Sequence, residues 1–129
     1  MEFEIAFVDG EVTNVHVTVS GELTVEGNQA WLEQLVTDPR WRPGMRVLLD
    51  GTALRPGDFV GRHLQAVAEP IVGHGADWGP GFCAAVVDDP TVFGLIRMWQ
   101  VATREMEWQT EVFHSRAAAR AWLESVSRA

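Results

Sequence analysis

Four polar side chains near the middle of the chain are of the types that carry acid–base chemistry or bind a metal ion. Asp58 and His63 lie close together in sequence, and His74 and Asp77 follow in a glycine-rich segment. A carboxylate beside an imidazole can move a proton, and histidines with carboxylates can hold zinc. Their spacing matches no metal-ligand pattern, so surface histidines are the simpler interpretation. An enzyme that uses Asp58, His63 or His74 is therefore the weakest of three functional hypotheses.

The sequence carries none of the common nucleophile or phosphate-binding motifs. Its four serines, at positions 20, 115, 125 and 127, do not lie in a Gly-x-Ser-x-Gly elbow. The glycines of 73–79 follow a predicted helix and precede a predicted strand, which is the wrong order for a dinucleotide loop. The single cysteine, Cys83, has apolar neighbours, which predicts a buried and unreactive thiol. We therefore expect no catalytic residue, no metal and no cofactor.

Composition limits the classes of partner. The chain has 129 residues, a net charge of −8, and ten basic residues that are all arginine. An acidic chain is a poor ligand for nucleic acid or for an anionic membrane, both of which attract basic patches. No apolar run is long enough to span a membrane, and no signal peptide is visible. We expect a single domain over residues 1–129, in the cytoplasm, that binds no nucleic acid.

Hydrophobic periodicity predicts secondary structure elements in the order β-β-α-β-α-β-α-β-α. An N-terminal hairpin followed by alternating helices and strands is typical of a mixed sheet with parallel crossovers. We expect the second helix to begin near Gly57 and Asp58 and to end before Pro70. The predicted strands cover 3–8, 12–19, 45–50, 82–87 and 106–113, and the predicted helices cover 24–36, 58–69, 91–104 and 115–126.

The helix predicted over 91–104 carries more apolar residues than packing on one sheet requires. One apolar stripe is enough for such a helix. The excess predicts contact with a neighbouring helix, with a second copy of the chain, or with an apolar ligand. Trp78, in the glycine-rich segment, is expected to lie over the same surface as a lid. The apolar residues concerned are Val92, Phe93, Leu95, Ile96, Met98, Trp99, Val101 and Ala102.

Three stretches, taken in order, form a family-like pattern. They are 38–45 leading into 47–50, then 86–99, and then 112–115 leading into 121–123. Together they resemble the STAS family of anti-sigma-factor antagonist domains, and within it the SpoIIAA-like branch, which is related to Sec14-type lipid carriers. The resemblance covers nearly the whole chain in element order. It implies a single-domain α/β fold with a mixed sheet, an N-terminal hairpin and helices mainly on one face.

The resemblance does not carry over the phosphorylation switch of the antagonist domains. Those domains have a phosphorylatable serine where the helix after the third strand begins, and here Asp58 occupies that region. Thr52, the nearest hydroxyl, comes too early in the turn. An aspartate at a helix start can mimic a phosphate, but capping of the helix is the more common reason for it. Capping is therefore the favoured interpretation of Asp58.

The leading functional hypothesis is a non-enzymatic STAS-like module that binds a protein partner or a second copy of itself. The alternative, by analogy with the Sec14-like relatives, is a small carrier or sensor of an apolar, lipid-like ligand, which requires a real cavity. The candidate interaction or ligand surface consists of Asp58, Phe59, Trp78, Phe82, Met98 and Trp99.

Overall fold

The computed structural model describes residues 1–73 and 78–127, and within these ranges five strands form one mixed sheet. The strands, in spatial order from β1 to β5, are Glu2–Phe7, Val15–Glu22, Arg46–Arg55, Gly81–Val86 and Trp108–Phe113. β1 is antiparallel to β2, and the other neighbouring strands are parallel. The helices α1 to α4 are Val25–Val36, Gly61–Gly73, Pro90–Ala102 and Arg116–Ser127. The predicted fold class and element order are confirmed.

Alternate residues of the strands enter two separate cores, because successive side chains of a strand point to opposite faces. The larger core lies under α1, α2 and α3 and includes Val17, Val47 and Leu95. The helices therefore lie mainly on one face of the sheet, as predicted. The smaller core lies under α4 alone and contains Leu48, Ala84, Val86, Ala119 and Leu123.

Two helix starts are fixed by side-chain caps of residue types that favour this position. Thr24 Oγ1 accepts a hydrogen bond from the Gly27 N–H at 2.9 Å and caps α1. Asp89 Oδ1 accepts hydrogen bonds from the N–H groups of Thr91 and Val92, with Pro90 at the first helical position of α3. In the described ranges, no helix is long and apolar enough to cross a membrane.

The segment between β3 and α2 differs from the prediction. The predicted strand ended at Asp50, but β3 continues to Arg55 because its second half pairs with Ser20–Glu22 of β2 beyond an irregularity in the register. The helix consequently begins at Gly61. Asp58 is exposed in the preceding turn, so the prediction that it caps α2 is wrong.

His63 supplies the start of α2 with a side-chain partner instead. The N–H of Val60 donates to His63 Nδ1 at 2.9 Å. In a capping box, the side chain of the third helical residue accepts a hydrogen bond from the backbone N–H that precedes the helix. The imidazole of His63 therefore accepts the hydrogen bond that a Glu or Gln side chain accepts in the common form of the capping box.

α2 continues through Pro70 to Gly73, so the prediction that Pro70 ends the helix is wrong. A proline has no N–H, which leaves the carbonyl oxygen of Ala66, four residues earlier, without its helical donor. Gln29 of α1 provides a replacement, because its Nε2 donates to the Ala66 oxygen at 2.9 Å. This hydrogen bond also ties α1 to α2.

We expect Gln29→Ala to lower the free energy of unfolding by about 1 kcal/mol, because the Ala66 carbonyl loses its replacement donor. In a Pro70→Ala background, residue 70 regains an N–H that bonds to Ala66, so the same change should cost much less. A double-mutant cycle measured by urea unfolding tests this. Gln34→Ala, at an exposed position of the same helix, is the matched control. Equal costs of Gln29→Ala in both backgrounds would contradict the interpretation.

Candidate functional site

A partly enclosed apolar cavity of about 80 Å³ lies between the sheet and helices α1, α2 and α3. Well-packed protein cores contain few voids larger than one water molecule, and roughly 10–15 Å³ is enough to hold a water. The cavity is therefore a distinct feature of this core. Its walls include residues of β2 to β5 and of all three helices, among them Trp31, Leu49, Leu64, Cys83, Ala85, Val92, Trp99 and Trp108.

The polar groups of Asn28 at the cavity wall are already engaged. Asn28 Nδ2 donates to the carbonyl oxygen of Thr24 at 2.9 Å, and Asn28 Oδ1 accepts a hydrogen bond from Trp31 Nε1 at 3.3 Å. Thr110 is the other polar residue of the wall, and the remaining wall residues are hydrophobic. The cavity consequently offers an occupant shape and apolar surface far more than hydrogen bonds.

The structure brings two of the six predicted surface residues together at this cavity. Phe59, after β3, and Trp99, on α3, both line it. Met98 lies on the outer side of α3, where 49% of its surface is exposed. Asp58 is exposed in the turn before α2 and is not part of the cavity wall. The excess of apolar residues on α3 therefore divides into a cavity side and a solvent side.

Trp78 lies in the larger core. It is 1% exposed and packs in a cluster with two other tryptophans. Its ring centroid lies 5.6 Å from that of Trp41 and 5.2 Å from that of Trp108. The indole N–H groups of Trp41 and Trp78 are buried without a hydrogen-bond partner among the described residues. Of the other polar residues predicted near Trp78, His74 and Asp77 lie outside the described residues.

Phe82 lies on the opposite face of the sheet from the cavity. Cys83 and Ala85 of β4 face the cavity, so the alternation of the strand turns Phe82 toward α4. There its ring packs edge-on against Trp122 with the centroids 6.1 Å apart. Phe82 therefore does not share the cavity that Phe59 and Trp99 line.

The histidines near the helices have structural partners. His63 accepts the Val60 N–H and packs its ring against Phe59, with centroids 5.3 Å apart. His114, which sequence reasoning missed, stacks on Phe93 at 4.2 Å and places its Nδ1 3.2 Å from the Val87 carbonyl oxygen. The one feature of the sequence that could have drawn attention to His114 is its position directly after an apolar strand. Within residues 1–73 and 78–127, no group of three His, Cys, Asp or Glu side chains can hold a metal ion.

Comparison with solved structures identifies the fold. The chain is similar to an uncharacterized protein of the DUF3478 family from Shewanella loihica PV-4, which has a SpoIIAA-like fold. The two share 18% sequence identity over 94% of this chain and 93% of that chain, with a TM-score of 0.59. No protein-family model matches the sequence, and a search of curated proteins finds no match. The predicted SpoIIAA-like fold is thereby confirmed.

The thiol of Cys83 should report whether the cavity is sealed. Cys83 lines the cavity and is 2% exposed, and burial raises its pKa to about 12. Because the thiolate is the reactive form, we expect the native protein to react with DTNB at least roughly a thousandfold more slowly than the unfolded chain. Reaction kinetics at a fixed mildly alkaline pH, with and without denaturant, measure the ratio. A native rate close to the unfolded rate would mean that the cavity is open to solvent.

Proposed function

We propose that this domain is a non-enzymatic binding module that takes up a small apolar molecule between its sheet and its helices. The observation that carries the proposal is the cavity of about 80 Å³ walled by Trp31, Phe59, Trp99 and Trp108. An empty cavity of that volume costs about 2 kcal/mol of stability. A ligand that fills it recovers part of that cost, so occupation is favoured by the packing itself.

The volume limits the occupant to a few heavy atoms. An engineered apolar cavity of about 150 Å³ holds benzene or xenon, so a cavity of about 80 Å³ suits xenon or a short hydrocarbon. A lipid chain, which the Sec14-like analogy implies, needs the helices to move apart first. The proposal therefore specifies a small apolar ligand, with a lipid-like ligand as the competing outcome.

The absence of enzymatic activity is part of the proposal because the acid–base groups are committed elsewhere. His63 Nδ1 holds the N–H of Val60 at the start of α2. Asp58 is exposed outside the cavity wall. The thiol of Cys83 does face the cavity, but the raised pKa keeps it protonated and weakly nucleophilic at neutral pH.

The outer side of α3 supports a second candidate function, which is docking to a protein partner or to a second copy of the chain. Met98 and Val101 are 49% and 64% exposed there. Met98 also packs against the start of α2, where a Cβ on Gly61 would collide with its methyl group. Val60, next to Gly61, is exposed as well. We call Val60, Met98 and Val101 the α3 patch.

We expect xenon to bind in the cavity and Ala85→Val to block it, because the added methyl groups occupy part of the void. ¹H–¹⁵N spectra recorded under xenon pressure should show shifts of the indole signals of Trp31, Trp99 and Trp108. The indole signal of Trp122, on the other face of the sheet, should not move. Ala53→Val, at an exposed position of β3, adds the same groups outside the cavity and serves as the control.

Xenon binding that is unchanged in Ala85→Val would remove the support for a cavity ligand. The competing lipid-like ligand is tested by titration with myristate. Shifts of the Trp31, Trp99 and Trp108 signals by myristate, abolished by Ala85→Val, would favour a lipid carrier over a site for small apolar molecules.

The α3 patch is tested by native mass spectrometry. If it mediates self-association, the wild-type protein shows a doubled mass at micromolar concentration, and Val101→Glu returns it to the monomer by burying a charge in the interface. Val8→Glu, at the exposed end of the hairpin connection, should leave the doubled mass unchanged. A wild-type monomer would exclude self-association under these conditions and leave a protein partner for the patch.

A further inference from the structure

The face of the sheet opposite the cavity is only partly covered. α4 packs over β3, β4 and β5, and no other helix of the described residues covers β1 and β2 on this face. His16 of β2 lies on this face, paired with Ala6 of β1 on one side and with Leu48 of β3 on the other. Its imidazole is half-buried and has no hydrogen bond within the described part of the chain.

A hollow forms on this face where the β1–β2 connection approaches α4. Residues 8–13, His16 and Arg120 line it. Arg46 holds the connection in place, because its Nε donates to the carbonyl oxygen of Val12 at 2.7 Å and its Nη2 to that of Glu11 at 3.2 Å. The hydroxyl of Thr13, which also belongs to the hollow, is buried without a partner among the described residues. The β1–β2 connection that lines the hollow is therefore held by hydrogen bonds from Arg46, and the Thr13 hydroxyl beside it has no hydrogen-bond partner among the described residues.

Two arginines of α4 contribute positive charge beside His16. Arg116 and Arg120 are one helical turn apart. Arg116 Nη1 lies 3.9 Å from Asp50 Oδ2, which is too far for a hydrogen bond, and Arg120 has no ion pair in the described ranges. Burial first, and then these two guanidinium groups, lower the pKa of His16.

Carboxylates also face this region, and they limit which anion fits. Asp9 and Glu11 lie in the connection that lines the hollow, Glu4 is on the same face of β1, and Asp50 is on β3 beside Arg116. A large polyanion would meet these carboxylates. A single compact group beside Arg120 and His16 meets fewer of these carboxylates than a large polyanion does.

We propose that this hollow binds one phosphate group, as inorganic phosphate or as a small phosphate monoester, between Arg120 and His16, with Arg116 one helical turn away on α4. The planar guanidinium matches the oxygen geometry of phosphate, and a protonated imidazole adds a further donor. The bound anion neutralises the repulsion that the two arginines exert on His16. The site is separate from the apolar cavity, because Val15 and Val17, the neighbours of His16, are buried in the core on the opposite face.

The imidazole of His16 provides the test, followed by ¹H NMR in titrations of the full chain with inorganic phosphate and with glycerol 3-phosphate against matched chloride. We expect either probe to raise the pKa of His16, since a bound anion favours the protonated ring. By linkage, binding should tighten as the imidazole becomes protonated. Saturation by both probes indicates a site for the phosphate group itself, whereas saturation by glycerol 3-phosphate alone indicates a site for the monoester.

Variants distinguish this site from general charge effects. Arg120→Ala should weaken phosphate binding about tenfold by removing a charged donor. In chloride it should also raise the pKa of His16, because one repelling charge is gone. Arg97→Ala, at an exposed position of α3 on the opposite face, removes the same charge elsewhere and should change neither result. The proposal is overturned if phosphate leaves the His16 titration unchanged, or if both variants weaken binding equally.

Discussion

Unequal coverage of the two faces of the sheet is the constraint on which the other features depend. The parallel strands β2 to β5 follow one another in space as they do in sequence, and right-handed crossovers therefore place α1, α2 and α3 on the same side. Within residues 1–73 and 78–127, the C-terminal α4 is the only helix that covers the other face. Three helices over one face leave an internal cavity among large aromatic side chains, and one helix over the other leaves a polar hollow beside it.

The wall of the cavity formed by α2 depends on a contact between helices. Leu64 and Val67 contribute to the cavity wall from the first half of that helix. Pro70 breaks the helical hydrogen bond to Ala66 in the second half, and Gln29 of α1 restores a donor there. The continuity of α2 is therefore a tertiary property that needs α1 in place. Two of the three helices over the cavity are coupled in this way.

The order of elements could be predicted from the sequence because most apolar runs are bounded by local signals. Asp89 and Pro90 at the start of α3 are one such signal, and the structure confirms it. The extension of β3 to Arg55 and the passage of α2 through Pro70 could not be predicted in this way. The first depends on pairing with β2, and the second depends on Gln29, which is 37 residues from Ala66.

The candidate site was only partly predictable, for a reason that lies in the pattern of buried strands. β4 is buried on both faces, so hydrophobicity cannot tell which of its residues faces which core. Phe82 and Cys83 are both apolar, yet Phe82 faces α4 and Cys83 faces the cavity. Trp99 could be found because its helix is amphipathic and carries an excess of apolar residues. Which of the other predicted residues face the cavity depends on the register of the strands, and that register is fixed only in the folded sheet.

The chemistry of the cavity indicates how tightly it can hold an occupant. A tiny ligand gains at most about 1.5 kcal/mol per non-hydrogen atom, so the dissociation constant of a ligand with a few heavy atoms is no lower than roughly tens of micromolar. An apolar wall also discriminates weakly between ligands that differ by one methylene. Asn28 adds little selectivity, because its side chain is already hydrogen-bonded to Thr24 and Trp31. The proposed ligand would therefore bind weakly, exchange rapidly and be selected mainly by its size.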